Sequence, residues 1–273
     1  MVFSRVKGHG KRATYIFNSP IGNSWHVKLR PIRERNVLID EAKRLKGVHG
    51  RLPSTTGVVY THAGIVGLLW TRTVTGSPGH DLIDLLHPKE LVDSLVVANC
   101  KIQAANISGL DFEPPKWAVN KSYSLSRIDK LDDLRSAGKE LHPDFQHLSS
   151  GSLAQIIQAG PGESVQKVLA HGDLCMPNLL FSREGELTGV IDLGAMHVND
   201  SRLDIALLSW CIKANMGDKW SDYFLSRFDM EESDAAIQYY RLAYDLSLEF
   251  PEPWLWVGKP KLILQRERLK RIK

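Results

Sequence analysis

The stretch His171-Gly172-Asp173-Leu174-Cys175-Met176-Pro177-Asn178 decides how the rest of the chain is read. An apolar run, Lys167-Val168-Leu169-Ala170, leads into it, and a second, Leu187-Thr188-Gly189-Val190-Ile191, leads into Asp192-Leu193-Gly194. Runs this short and this apolar predict two core strands with a turn between them, a hairpin that gathers Asp173, Asn178 and Asp192. Such a group offers one aspartate for a substrate hydroxyl, then an amide and a carboxylate for Mg²⁺. Hard cations take oxygen donors, and Mg²⁺ that also binds phosphate and water needs only one or two protein groups.

Working outward, 273 residues suffice for one large domain or two lobes, and 43% hydrophobic with 24% charged residues is an ordinary globular composition. No apolar run approaches the length of a membrane span, and Met1-Val2-Phe3-Ser4-Arg5 carries no signal-peptide hydrophobic region. Cys100, Cys175 and Cys211 are widely spaced and show neither a disulfide framework nor a zinc spacing. A cytoplasmic protein is expected, with no membrane partner. The net charge of +4 conceals an uneven distribution: residues 1–50 hold 11 Lys and Arg against 3 Asp and Glu, residues 171–250 hold 6 against 14, and residues 251–273 hold 7 against 2. A basic front suits a polyanionic nucleotide and an acidic later half suits a cationic acceptor, although uneven solvated surface gives the same counts.

Residues 14–17 end a β-prone run, and 24–30 read as the next strand after a turn containing Pro20 and Gly22. Lys28 sits in that second strand between Val27 and Leu29, and residues 36–45 follow with apolar positions near helical spacing and with Asp40 and Glu41 adjacent. Strands are expected at 57–63 and 65–73, running into the Gly/Pro linker 74–79. Helices are expected at 81–86 and 88–107, an irregular segment at 107–127, and helices again at 128–141, 152–159 and over most of 207–249. Leu262, Ile263, Leu264, Leu269 and Ile272 could form an apolar helical stripe in the basic segment 259–273, docked as structure.

The pattern HxDxxxxN, a hydrophobic strand and IDxG resembles the aminoglycoside phosphotransferase family, in particular its 3′ and 3″ O-phosphotransferases. The resemblance covers roughly residues 8–250 and is strongest at 168–208. It implies an α+β, protein-kinase-like, two-lobed fold, with a small β-rich nucleotide lobe at 1–73 and a larger, mainly helical catalytic and acceptor lobe at 74–273. It implies an enzyme that transfers the γ-phosphate of ATP or GTP, with Mg²⁺, to a hydroxyl of a polycationic aminoglycoside. Asp173 would then position the acceptor hydroxyl and accept its proton, while Asn178 and Asp192 would hold Mg²⁺. A strand lysine followed by a helix glutamate is the kinase order. The resemblance therefore gives Lys28 the α- and β-phosphates and Glu41 the task of fixing Lys28, with Asp40 as its rival.

By position, Thr71 and Thr73 look like contacts to the purine edge and Trp70 like the residue behind the base. The first hairpin turn, around Lys11 and Arg12, would lie over phosphate. Asp204 would be the structural aspartate that caps a helix and ties it to the catalytic loop. Tyr240-Arg241-Leu242-Ala243-Tyr244-Asp245 resembles the family's YRLxxD ending, so Asp245, with Asp204, is carried as an acceptor-side carboxylate. Ala195 departs from the arginine common after IDxG, with Arg202 a candidate to compensate. Three other readings remain open on the residues: a same-fold kinase acting on another antibiotic or hydroxylated metabolite, a catalytically silent nucleotide-binding module, and a nucleic-acid binder using the basic segment. No nucleic-acid-binding module is visible to support the last, so no nucleic-acid partner is expected.

Overall fold

Lys28 lies on the third strand of a five-stranded antiparallel sheet built from β1 (Val2–Arg5), β2 (Thr14–Asn18), β3 (Ser24–Pro31), β4 (Val58–Ala63) and β5 (Val66–Arg72), in the order β1-β2-β3-β5-β4. The computed structural model describes residues 2–5, 14–19, 23–54, 57–136, 141–163 and 166–248. The turn around Lys11 and Arg12 and the basic segment 259–273 lie outside the described residues. The chain divides into two compact units, Met1–Phe112 with Met176–Met196, and Glu113–Cys175 with His197–Lys273. The boundary expected after residue 73 falls inside the first of them.

In the first unit, α1 (Arg35–Gly47) buries Leu38, Glu41, Ala42, Arg44 and Leu45, one stripe at helical spacing, and packs on β3, β4 and β5. The helix α2 (Pro88–Gln103) starts cleanly because Pro88 occupies its first turn and His87 with Glu90 forms a capping box. The linker after β5 passes Gly76, whose φ of +133° and close approach to Thr188 exclude a side chain. It enters a small sheet of β6 (Ser77–Pro78), β8 (Leu179–Phe181) and β9 (Leu187–Val190).

The expected central hairpin is corrected here. Leu187–Val190 pairs with Leu179–Phe181, whereas β7 (Lys167–Ala170) pairs in the second unit with β10 (His197–Asp200). The two apolar runs therefore belong to different sheets. Their apolar character reported burial and could not report which neighbour provides it.

The second unit is otherwise helical. The segment 107–127 is not wholly irregular, because α3 (Lys116–Val119) follows Pro115 and α4 (Lys121–Ile128) is capped by the Asn120 side chain accepting from Tyr123 N–H. Next come α5 (Leu131–Ser136), α6 (Pro143–Gln146), α7 (Ser150–Ala159), α8 (Arg202–Met216), α9 (Asp218–Ser226) and α10 (Ala235–Ser247). Arg241, 1% exposed, joins α10 to α8: its Nε donates to the Ala206 carbonyl at 3.1 Å and its Nη2 to Ser209 Oγ at 2.8 Å, while Glu232 supplies the counter-charge. Among the described residues no helix is long and apolar enough to cross a membrane.

Candidate active site

In the first unit the polar centre is a triad of charges. Lys28 Nζ donates to Glu41 Oε1 at 2.6 Å and to Asp192 Oδ1 at 2.7 Å. Burial alone would lower the Lys28 pKa, but the carboxylates of Asp192 and Glu41 reverse this and hold it above its ordinary value. Lys28 therefore stays cationic. Asp40, the rival for Glu41, instead faces Lys43 at 3.6 Å on the exposed side of α1.

Asp192 lies just past β9, at the open end of the β8–β9 hairpin. Its backbone is left-handed, φ 60° and ψ 53°, a conformation uncommon outside glycine, although Asp tolerates it better than most. Strain of this kind concentrates at functional positions. Ile191 N–H donates to the Asn178 carbonyl at 3.0 Å, so residues 178 and 191 end adjacent strands and Asp192 follows directly. Arg44, buried in α1, donates from Nε to the Met196 carbonyl at 2.8 Å and anchors the far end of the Asp192-Leu193-Gly194-Ala195 turn. Nothing in the sequence pattern singled Arg44 out for this.

Strand register settles which side chains share the Lys28 face. Lys28 pairs with Leu69 and His26 with Thr71, whereas Trp70 pairs with Val27. Alternation puts His26, Lys28, Leu69 and Thr71 on one face and Trp70 on the other, against Phe17. Trp70 therefore does not stand behind a base on the Lys28 side. Thr73 also needs correction: its N–H donates to the Ser24 carbonyl at 3.0 Å, so that amide is engaged within the sheet.

In the second unit, Asp204 organises the loop that carries Asp173. Its carboxylate accepts from His171 N–H at 2.5 Å and from Gly172 N–H at 3.0 Å. Asp204 lies inside the first turn of α8 and is not its cap, which is Ser201. The expected tie to the catalytic loop is made by these two backbone amides. Asp173 N–H then donates to His171 Nδ1 at 3.3 Å. The Asp173 carboxylate accepts from Tyr244 on α10, Oη to Oδ1 at 2.6 Å. In the sequence Tyr244 stands out only as an unassigned position of the YRLxxD-like stretch. Arg202 is held by Asp200, with Nη2 to Oδ2 at 2.5 Å, and by the Glu163 carbonyl at 2.7 Å.

Residues 5–245 match the family model described as the phosphotransferase enzyme family. The chain belongs to this family. The phosphotransferase is 37% identical over 224 residues to the aminoglycoside 3′-phosphotransferase of Niallia circulans, covering 80% of this chain and 82% of that one. It is 31% identical over 114 residues to the streptomycin 3″-kinase of Streptomyces griseus, a match spanning 38% of this chain and 40% of that protein. Its fold is similar to the aminoglycoside phosphotransferase APH(3″)-Id of Streptomyces rimosus solved with ADP and streptomycin, with a TM-score of 0.66 at 21% identity, covering 90% of this chain and 93% of that one. The expected kinase-like α+β fold, with a β-sheet N-terminal part and a helical C-terminal part, is the one found.

The acceptor-side assignments of Asp204 and Asp245 do not agree with their placement in the phosphotransferase. Both are fully buried, and Asp204 is engaged by the catalytic loop. Asp245 accepts from His142 N–H at 2.9 Å through Oδ2, while its Oδ1 has no partner among the described residues. Burial lifts the Asp245 carboxyl to about 7, with Asp144 adding to the rise and the His142 amide opposing it. Burial pushes the His142 imidazole down to about 4; Asp144 opposes this, and Lys213 and Arg241 reinforce it.

The linkage signs are opposite. The Asp245 contribution to stability is fully present below about pH 4 and is lost as pH rises through about 7. The His142 contribution is fully present above about pH 6.5 and is lost as pH falls through about 4. The two slopes nearly cancel in the wild type. Asp245→Asn removes one of them, so its stability relative to wild type should climb between pH 4 and 7, by up to about 4 kcal/mol. Thermal melts of both proteins at pH 4.5 and 7.5 check this. A difference in melting temperature that does not change with pH would show that Asp245 is not held protonated.

Proposed function

We propose that this phosphotransferase transfers the γ-phosphoryl group of ATP or GTP to a hydroxyl of an aminoglycoside. The observation that carries the chemistry is Lys28 bonded to both Glu41 and Asp192. The acceptor class rests on the Niallia circulans relative, alike over four-fifths of both chains. In this reading residues 1–73 supply the nucleotide lobe and 74–273 the catalytic and acceptor lobe. Lys28 binds the α- and β-phosphates, and Glu41 holds its ammonium group in place. Thr71 lies beside the base on the Lys28 face, with Thr73 at the start of the linker.

Asp192 and Asn178 suit Mg²⁺. They are two oxygen donors at the end of one hairpin, and the Asp192 side chain is 51% exposed, open to phosphate and water. Mg²⁺ bound there would neutralise phosphate charge. Asp173 orients the acceptor hydroxyl and takes its proton as the O–P bond forms. Phosphoryl transfer has a loose transition state, so alignment of this carboxylate matters more than strong basicity. A cytoplasmic location gives the enzyme its nucleotide.

The test is a coupled nucleotide assay with streptomycin, an aminoglycoside bearing a free 3′-hydroxyl, a macrolide, and no acceptor. Nucleotide turnover that requires an aminoglycoside, with a product heavier by one phosphate, is expected. A preferred macrolide or other neutral acceptor would overturn the acceptor class and leave the kinase chemistry standing. The excess of acidic residues in 171–250 adds a further expectation. The aminoglycoside KM should rise with salt at saturating nucleotide while turnover at saturation changes less, because exposed ion pairs are screened beyond about 8–10 Å. A KM unchanged between low and physiological salt would remove charge pairing as the source of acceptor affinity.

A further inference from the structure

We infer that Tyr244 is a positioning residue for phosphoryl transfer, its phenol fixing the rotamer of the Asp173 carboxylate. The inference rests on the proposed role of Asp173 as the group that receives the acceptor proton. An aspartate on a turn can rotate about two side-chain bonds, and a base must present one oxygen to one hydroxyl. The phenol donates to Oδ1 at 2.6 Å, the short distance of an O–H donor bound to an ionised acceptor. A carboxylate offers about four lone-pair sites on its two oxygens, so this bond orients the group without exhausting it.

Tyr244 is itself held. It is 7% exposed, and its ring meets Trp117 of α3 edge-on, with centroids 5.1 Å apart and planes at 87°. Its helix, α10, is joined to α8 by Arg241, three residues before Tyr244. The loop bearing Asp173 is joined to the same α8 by Asp204. Donor and acceptor are thus both referenced to one helix. The hydroxyl of Tyr244 is the only polar group of that side chain, and its bond to Asp173 ends this chain of fixed contacts. A packing role alone would need the ring and not the hydroxyl.

Tyr244→Phe keeps the ring and its Trp117 contact and removes only the donor. Hydrogen bonds to charged groups are worth enough that the single-turnover rate should fall about 10–100-fold. The acceptor KM should stay within about twofold and the melting temperature should change little. The variant should be measured alone and combined with Asp173→Asn, with Mg·ATP and whichever of streptomycin or the 3′-hydroxyl aminoglycoside is turned over. If Tyr244 acts through Asp173, the double variant is no slower than Asp173→Asn.

An additive further loss in the double variant, or a loss accompanied by a large fall in melting temperature, would assign Tyr244 to the fold and overturn the inference. A normal rate for Tyr244→Phe beside an inactive Asp173→Asn would also overturn it while leaving the Asp173 reading intact. A normal rate for Asp173→Asn itself would remove that reading, and this one with it.

Discussion

Asp173→Asn is expected to slow the chemical step by about 10²–10⁴-fold, the usual size for a positioned base. The variant is well matched in shape. Asn keeps an oxygen for the Tyr244 phenol, and the His171 and Gly172 amides remain bound to Asp204, so the loop should keep its conformation. What is lost is a negative charge and a proton acceptor. Because the transition state is loose, part of the effect comes from misorienting the acceptor oxygen and part from leaving its proton without a destination. Single-turnover kinetics at saturating Mg·ATP and aminoglycoside give the rate, and calorimetry with ADP should show nucleotide affinity unchanged. A rate within tenfold of wild type would remove Asp173 from the chemistry.

The second large effect concerns Asp192. Asp192→Ala should abolish the gain in ADP affinity that Mg²⁺ confers on the wild type. Replacing groups that merely support a metal ligand commonly costs about 10–100-fold in affinity, and a direct carboxylate ligand should cost at least as much. The substitution also removes one of the two anions that hold Lys28 charged, leaving Glu41 at 2.6 Å. Comparing ADP titrations with and without Mg²⁺ separates the two consequences. Weakened binding in both conditions reports on Lys28, and loss of the Mg²⁺-dependent increment reports on the metal. Asn178→Ala should give a smaller loss of the increment. An Asp192→Ala protein that binds Mg·ADP like wild type would place the metal elsewhere.

The parts of this molecule that were legible in the sequence are those where chemistry dictates residue type at fixed separation. Lys28 with Glu41 could be read because a strand and a helix follow one another in order, and the structure brings the two side chains to 2.6 Å. The illegible parts depend on register and on distant neighbours. Trp70 looked correctly placed by its order along the chain, but strand parity turns it to the opposite face from Lys28. The strand His197–Asp200 carries His197, Asn199 and Asp200 as buried polar residues, so no apolar alternation announced it. Asp245 near the family's terminal motif suggested the acceptor, whereas it is buried against the His142 amide. Tyr244 was one aromatic among many, and only folding brings it 71 positions back along the chain to Asp173.

The unit that carries Lys28 is assembled from two pieces of chain, Met1–Phe112 and Met176–Met196, with a long stretch of the other unit between them. This has a consequence for biosynthesis. When residue 112 leaves the ribosome, the five-stranded sheet and α1 are complete, and Lys28 can already meet Glu41. The β8–β9 hairpin, with Asn178 and Asp192, is still untranslated. At about 5–20 residues per second, several seconds separate the two events. During that interval β6 lacks the strands it pairs with, and Leu179, Phe181, Val190 and Leu193 have yet to reach the core they complete. The nascent chain therefore acquires Lys28 and Glu41 before Asn178 and Asp192, and the first unit can close only after the polypeptide has travelled out through the second and returned.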